Sequence, residues 1–183
     1  AFFNQGVAVP GIDGGTTAMT TGPDGNVWVA LANKVVRFPP GNPAAATTFA
    51  TPGVLPRAIA SSPDGTLWIT DTAEGRLLNI PASGTFTVTG PTVGGQPQFV
   101  AAAPDGQIAF GNPNSTPQQI GLLRRGTPFQ PFDRPNGSDP FGVTFGADGA
   151  FWIAGFAGNR LARVTPGGQL TPLGGLPVVA GQG

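Results

Sequence analysis

The chain contains no cysteine and no histidine, and only 10% of its 183 residues are charged. Each shortage removes a class of function. Without cysteine there is no disulfide framework, no thiolate zinc site and no cysteine nucleophile. Without histidine the commonest general base and imidazole metal ligand is missing. Nine basic groups balance nine acidic ones, with a single lysine, Lys34, and one adjacent basic pair, Arg124 and Arg125. A nucleic-acid reader or a polybasic membrane binder needs clustered cations, so neither nucleic acid nor a membrane surface is an expected partner. No apolar run approaches the roughly 20 residues of a membrane span. The start "AFFNQGVAVPG" has no basic region of the kind that opens a signal peptide. It suits the mature end of a processed chain, so an extracellular or exported location is expected.

What is abundant is glycine, at 30 residues, and proline, at 21. Here they recur at intervals and punctuate turns. "TGPDGNVWVA" (21–30), "SSPDGTLWIT" (61–70), "AAPDGQIAFG" (102–111) and "FGADGAFWIA" (145–154) place Asp24, Asp64, Asp105 and Asp148 at spacings of 40, 41 and 43 residues. That period is the signature of propeller blades. Each repeat divides into four short strands, and glycine or proline interrupts every stretch with helical spacing. The expected fold is therefore all-β, one β-propeller domain over 1–183 with four four-stranded antiparallel blades at about 12–50, 51–90, 91–132 and 133–176. Residues 1–11 are expected to add a further outer strand.

Hairpin geometry explains the Asp-Gly pairs. Proline sets φ at the first turn position, aspartate bonds its own backbone two residues on, and glycine takes the positive φ that closes the loop. Asp24-Gly25, Asp64-Gly65, Asp105-Gly106 and Asp148-Gly149 are accordingly structural turns. Four residues after each aspartate stand Trp28, Trp68, Ala109 and Trp152. A ring recurring once per repeat is what packing between blades requires, so the three tryptophans are expected in the core. Ala109, with Phe110 beside it, predicts a smaller or differently filled layer in its blade.

The succession of "PDG", a hydrophobic-Trp-hydrophobic strand, a Gly/Asn connector, "RF", "NI" or "RV", and then "P-x-G" resembles the repeats of the virginiamycin B lyase group and the broader NHL-type propellers. The likeness runs from about residue 17 to residue 173. It implies a propeller, and for the lyases a seven-bladed ring. It also implies a magnesium-dependent opening of a cyclic depsipeptide by a histidine with nearby glutamates. This chain has no histidine and one glutamate, Glu74, so no catalytic residue carries over.

Four repeats can close as a small ring, or they can form the arc of a larger one, whose exposed end faces favour pairing with another copy. Chemistry on a propeller gathers in connectors at one end of the channel. There the sequence places Asp71, Glu74, Arg76, Asp133, Arg134, Asp139 and Arg57, with Asp13 and Arg160 in similar connectors. One reading is a polar cup or an oxygen-ligand site for calcium or magnesium, similar to the metal-centred channels of gluconolactonase-like propellers. The other is wet loops with weak ion pairs such as Asp71–Arg76 and Asp133–Arg134. Two functions follow. The preferred one is a non-catalytic interaction or structural module, with no resident cofactor, that presents loops or edges to protein, glycan or a copy of itself. The alternative is a divalent-metal-dependent lyase or lactone hydrolase with carboxylates at the channel face. "NST" (114–116) and "NGS" (136–138) also match the N-glycosylation pattern.

Overall fold

The computed structural model describes residues 8–83, 91–113, 119–124, 127–128, 130–133, 140–155 and 160–173. Among these the regular structure is strand, apart from one 3-10 turn at Pro43–Ala45. No helix of the described residues is long and apolar enough to cross a membrane. Strands β1 (Thr16–Thr21), β2 (Val27–Leu31), β3 (Lys34–Phe38) and β4 (Thr47–Ala50) form the first antiparallel blade. The second holds β5 (Pro56–Ser62), β6 (Thr66–Asp71) and β7 (Arg76–Pro81); its expected outer strand "TFTVTG" lies outside the described residues. The third is β8 (Phe99–Ala102), β9 (Ile108–Asn112), β10 (Gln119–Leu123) and β11 (Gln130–Asp133). The fourth is β12 (Pro140–Phe145), β13 (Phe151–Gly155), β14 (Arg160–Val164) and β15 (Leu170–Leu173). The inner strands follow one another, β1 against β5, β5 against β8 and β8 against β12, as in a β-propeller.

All four Asp-Gly corners have one geometry. Gly25, Gly65, Gly106 and Gly149 have φ of 75°, 83°, 81° and 76°. Their amides bond the carbonyls of Gly22, Ser62, Ala103 and Gly146. This is a type I turn closed by a left-handed residue, the form that fits the twist of a three-residue hairpin loop. Residues 8–11, expected as part of an extra outer strand, are not strand. Pro10 and Gly11 (φ 84°) make a turn in which Ile12 N–H bonds Val9 C=O at 3.1 Å, the type II form that Pro-Gly favours. The turn lays Val9 and Ile12 over Val29, Leu31 and Val36 of the first blade.

Side chains alternate across each strand, so every blade has a front and a rear face. On the second strand Val27/Val29, Leu67/Ile69, Ile108/Phe110 and Phe151/Ile153 face forward, while Trp28, Trp68, Ala109 and Trp152 face the rear. Trp28 with Ala30 and Val35 buries against Ile59, Leu67, Ile69, Leu78 and Ile80 of the second blade. Trp68 with Leu77 meets Val100, Ile108, Phe110 and Leu123 of the third. The third-to-fourth layer is filled differently, as Ala109 predicts: Phe151 and Ile153 of the fourth blade come forward onto Ala109, Ile120 and Leu122. Phe110 faces the other way, over Gly121, where a Cβ would stand 2.2 Å from its ring. None of the four buried clusters joins the fourth blade back to the first among the described residues. Among the described residues the four blades run as an arc from the first to the fourth.

Candidate functional site

The turn aspartates do more than close hairpins. Asp24 accepts from the Asn26 amide at 3.1 Å and from Trp28 Nε1 at 2.9 Å, with Arg37 Nη1 at 3.7 Å. Asp148 repeats the arrangement, accepting from Trp152 Nε1 at 3.0 Å and Arg163 Nε at 2.7 Å. Each carboxylate thus ties its turn to the rear-facing indole and to the third strand. The Arg37 guanidinium lies 5.4 Å from the ring centres of both Trp28 and Phe49, which stack at 5.7 Å. At Asp105, where no indole stands, Gln107 N–H takes the place of the Asn26 amide and Arg124, just beyond the third strand, supplies the guanidinium.

The residue opening the turn decides whether the indole can reach. A Cβ on Gly22 would stand 2.3 Å from Trp28 Nε1, and one on Gly146 2.7 Å from Trp152 Nε1. The second repeat has Ser62 at this position, and there the buried Trp68 Nε1 has no hydrogen-bond partner among the described residues. Asp64 instead accepts from the amide and hydroxyl of Thr66. Gly22→Ala is therefore expected to displace the indole and cost about 1–3 kcal/mol through overpacking. A thermal melt and the Trp28 indole N–H resonance report it.

Four carboxyls are held below the ordinary carboxylate value of 3.8. At Asp148 the causes are the Trp152 hydrogen bond and then Arg163; at Asp13 they are the hydrogen bond and charge of Lys34. At Asp24 and Asp105 burial pushes upward and is outweighed, by Asn26 and Trp28 in one and by Gln107 and Arg124 in the other. The folded chain binds these protons less readily than the unfolded chain does. Their contribution is complete above the ordinary value and is lost as pH falls below it through the folded values. Urea midpoints should therefore drop between neutral pH and about pH 3, and Asp148→Asn should flatten that slope.

At the connectors on the channel side, polar groups clamp backbone. Asp71 is fully buried. Its Oδ1 accepts from the amides of Leu55 and Ala73, each at 3.1 Å, and its Oδ2 from Arg76 Nε at 2.9 Å. Asn112, at the same end of β9, accepts from Gln96 N–H and donates to Gly94 C=O. Asn33 does the equivalent for Gly53 N–H. Segment 91–95 is laced to the second blade through Gly75 C=O, which receives Val93 and Gly94. Glu74 and Arg57 are exposed, and Asp13 pairs with Lys34. Asp133 ends β11 opposite Gln119, but its side chain, that of Arg160, and the whole of Arg134 and Asp139 lie outside the described residues, as do both N-glycosylation patterns. Among the described residues no three acidic, cysteine or histidine side chains gather as metal ligands would. The structure joins Asp71 to Arg76 and brings neither to Glu74 or Arg57 through any hydrogen bond or ion pair among the described residues.

Trp152, expected in the core, is only half-buried. It faces the rear of the fourth blade, which no other blade covers among the described residues. With Gly142, Thr144, Ala154 and Leu161 it lines a shallow groove of about 310 Å³. Sequence reasoning did not single out Gly142, Thr144, Leu161 or Arg163. Nor did it single out the clamps Asn33 and Asn112, although each stands at the second-to-third-strand connector of its own blade, as Asp71 does in the second.

Residues 47–178 match the virginiamycin B lyase family. A catalytically inactive virginiamycin B lyase from Staphylococcus aureus, solved with quinupristin, superposes with a TM-score of 0.78 at 25% identity, over 92% of this chain and 58% of that one. A streptogramin B lyase structure gives 0.77 at 27% identity, over 91% and 56%. The chain thus spans a little under three fifths of these lyases. A propeller in the nidogen/laminin complex, at 19% identity and a TM-score of 0.71 over 88% of this chain and 65% of that one, shares the fold. No curated protein sequence matches.

Proposed function

The chain belongs to the virginiamycin B lyase family, and from that premise we propose that these four blades act as a non-catalytic interaction module whose partner is protein. The observation that carries this reading is Asp71, the one channel-side carboxylate among the described residues that is fully buried. Both of its oxygens are engaged by Arg76 and two backbone amides, which makes it a clamp on the frame and leaves it poorly placed to hold a cation or move a proton. Within these 183 residues there is no histidine to act as base. The apolar groove at Trp152 supports protein over glycan as partner, because Gly142, Ala154 and Leu161 offer few hydrogen-bonding groups to a sugar. The same frame occurs in the nidogen/laminin complex. Export belongs to the proposal and is checked by fractionating cells that make the chain.

The test is to incubate the chain with quinupristin and magnesium and to separate open from closed ring chromatographically. Calorimetry with magnesium and with calcium runs beside it. No ring opening and no metal heat are expected. Turnover that disappears in Asp139→Asn would overturn the proposal in favour of a metal-dependent enzyme.

A further inference from the structure

The four turn corners share a dipeptide that is chemically reactive. In an Asp-Gly pair no Cβ on the glycine hinders the approach of its amide to the aspartate side chain, so the nitrogen can close onto the carboxyl carbon. In a folded chain the outcome depends on how the carboxyl is held. Three corners place a guanidinium at one carboxylate oxygen: Arg37 at Asp24 Oδ2 (3.7 Å), Arg124 at Asp105 Oδ2 and Arg163 at Asp148 Oδ2 (2.7 Å). An adjacent cation keeps a carboxylate ionised, and the ionised form does not give up an oxygen as water. The other oxygen is fixed as well, by the indole at Asp24 and Asp148 and by the Gln107 amide at Asp105.

The second corner has neither the guanidinium nor the indole. Register puts Asn79 opposite Trp68, where Arg37 stands opposite Trp28 and Arg163 opposite Trp152. Asn79 is uncharged and turns inward, donating to Thr66 Oγ1 at 2.9 Å. Asp64 is held through Oδ1 alone, by the amide and hydroxyl of Thr66 at 3.1 and 2.6 Å, and its Oδ2 has no partner among the described residues. Asp64 and Gly65 are both exposed. The bond from the Gly65 amide to Ser62 C=O, at 3.2 Å, is the longest of the four equivalent turn bonds.

We propose that Asp64 is the corner at which this protein forms isoaspartate, and that the folded chain protects the other three. The Gly65 nitrogen bonds to Asp64 Cγ, the carboxyl hydroxyl leaves with the amide proton as water, and a five-membered succinimide results. A second water then opens the ring at the main-chain carbonyl carbon of Asp64. The chain now runs through the side chain, and a free α-carboxyl remains. No oxidant, metal or cofactor takes part. The product lengthens the main chain by one methylene and takes the acceptor away from the Thr66 hydroxyl, which is buried beside Asn79. It also shifts Gly65 C=O, which accepts from Ala82 N–H at 3.0 Å where the chain leaves the third strand. Conversion should therefore lower the thermal midpoint. This modification does not depend on what the module binds.

The test holds the purified chain for weeks at mildly acidic pH and body temperature, beside a sample unfolded in urea. Mass spectrometry with electron-transfer fragmentation, which separates isoaspartate from aspartate, then quantifies the four corner peptides. In the folded chain Asp64 should convert several-fold faster than Asp24, Asp105 or Asp148. In urea the four rates should converge. Arg163→Gln, with its fold checked by circular dichroism, should raise conversion at Asp148 several-fold and leave Asp64 as it was. Equal rates at the four folded corners overturn the inference, as does an Asp64 that stays intact while the urea sample converts. So do an Asp64 that leads by the same factor in urea and an unchanged rate at Asp148 in Arg163→Gln.

Discussion

Replacing Trp28 by alanine is expected to lower the unfolding free energy by about 3–5 kcal/mol, whereas Trp152→Ala should cost only about 1 kcal/mol. The two residues hold the same position in their repeats, the same indole bond to a turn aspartate and the same arginine on the third strand. They differ in what lies beyond the ring. Trp28 is fully buried against five aliphatic side chains of the second blade, so truncation removes transfer free energy and leaves a cavity that a strand pair cannot collapse into. Trp152 faces the groove, where water already reaches the ring, and its loss consists mainly of one exposed hydrogen bond. Denaturant titrations of the two variants, at concentrations where the chain is monomeric, give the comparison. Equal losses would mean that something covers the fourth blade as the second covers the first.

Asp71→Ala should destabilise by about 2–4 kcal/mol, placing it among the most damaging single changes outside the apolar core. The carboxylate is buried while its partner Arg76 is 29% exposed. Removing it leaves the Leu55 and Ala73 amides without their acceptor in a place water reaches poorly, and the cost lies there more than in the loss of the ion pair. Asp71→Asn keeps an oxygen for the amides and loses the charge opposite Arg76, so about half the effect should remain. Glu74→Ala, three residues away and exposed, should stay within about 0.5 kcal/mol of wild type. Chemical denaturation of the three variants separates a clamp from a solvated loop charge. Similar small losses in all three would remove the structural role assigned to Asp71.

What the sequence made legible is what acts over a few residues. The glycine of each Asp-Gly pair is needed for its positive φ whatever surrounds it, and four copies in register make the blade period plain. The Pro10-Gly11 pair was an equally local signal, and it marks a turn where an extra strand was expected. Burial depends on which blade stands beyond a side chain, and that information is not local. Trp28 and Trp152 sit in nearly the same ten-residue string, yet one is core and the other lines a groove, because among the described residues only the first has a blade packed on its rear side. Asp71 has the composition of a candidate ligand. Its role as a clamp becomes visible only once register sets it opposite Arg76 and beside the strand that begins after Leu55. Phe110 and Gly121 are eleven residues apart in sequence, and nothing in either alone tells that the glycine makes room for the ring.

The distribution of the three indoles gives this protein a built-in optical record of how it comes apart. Trp28 reports the contact of the first and second blades, Trp68 that of the second and third, and Trp152 the solvent-facing end. The contact of the third and fourth blades, filled by Phe151 and Ile153, holds no tryptophan. Emission from Trp152 should therefore be the most red-shifted and the most readily quenched by acrylamide. Detachment of the last blade would pass almost unseen in intrinsic fluorescence, while separation of any other pair would change it directly.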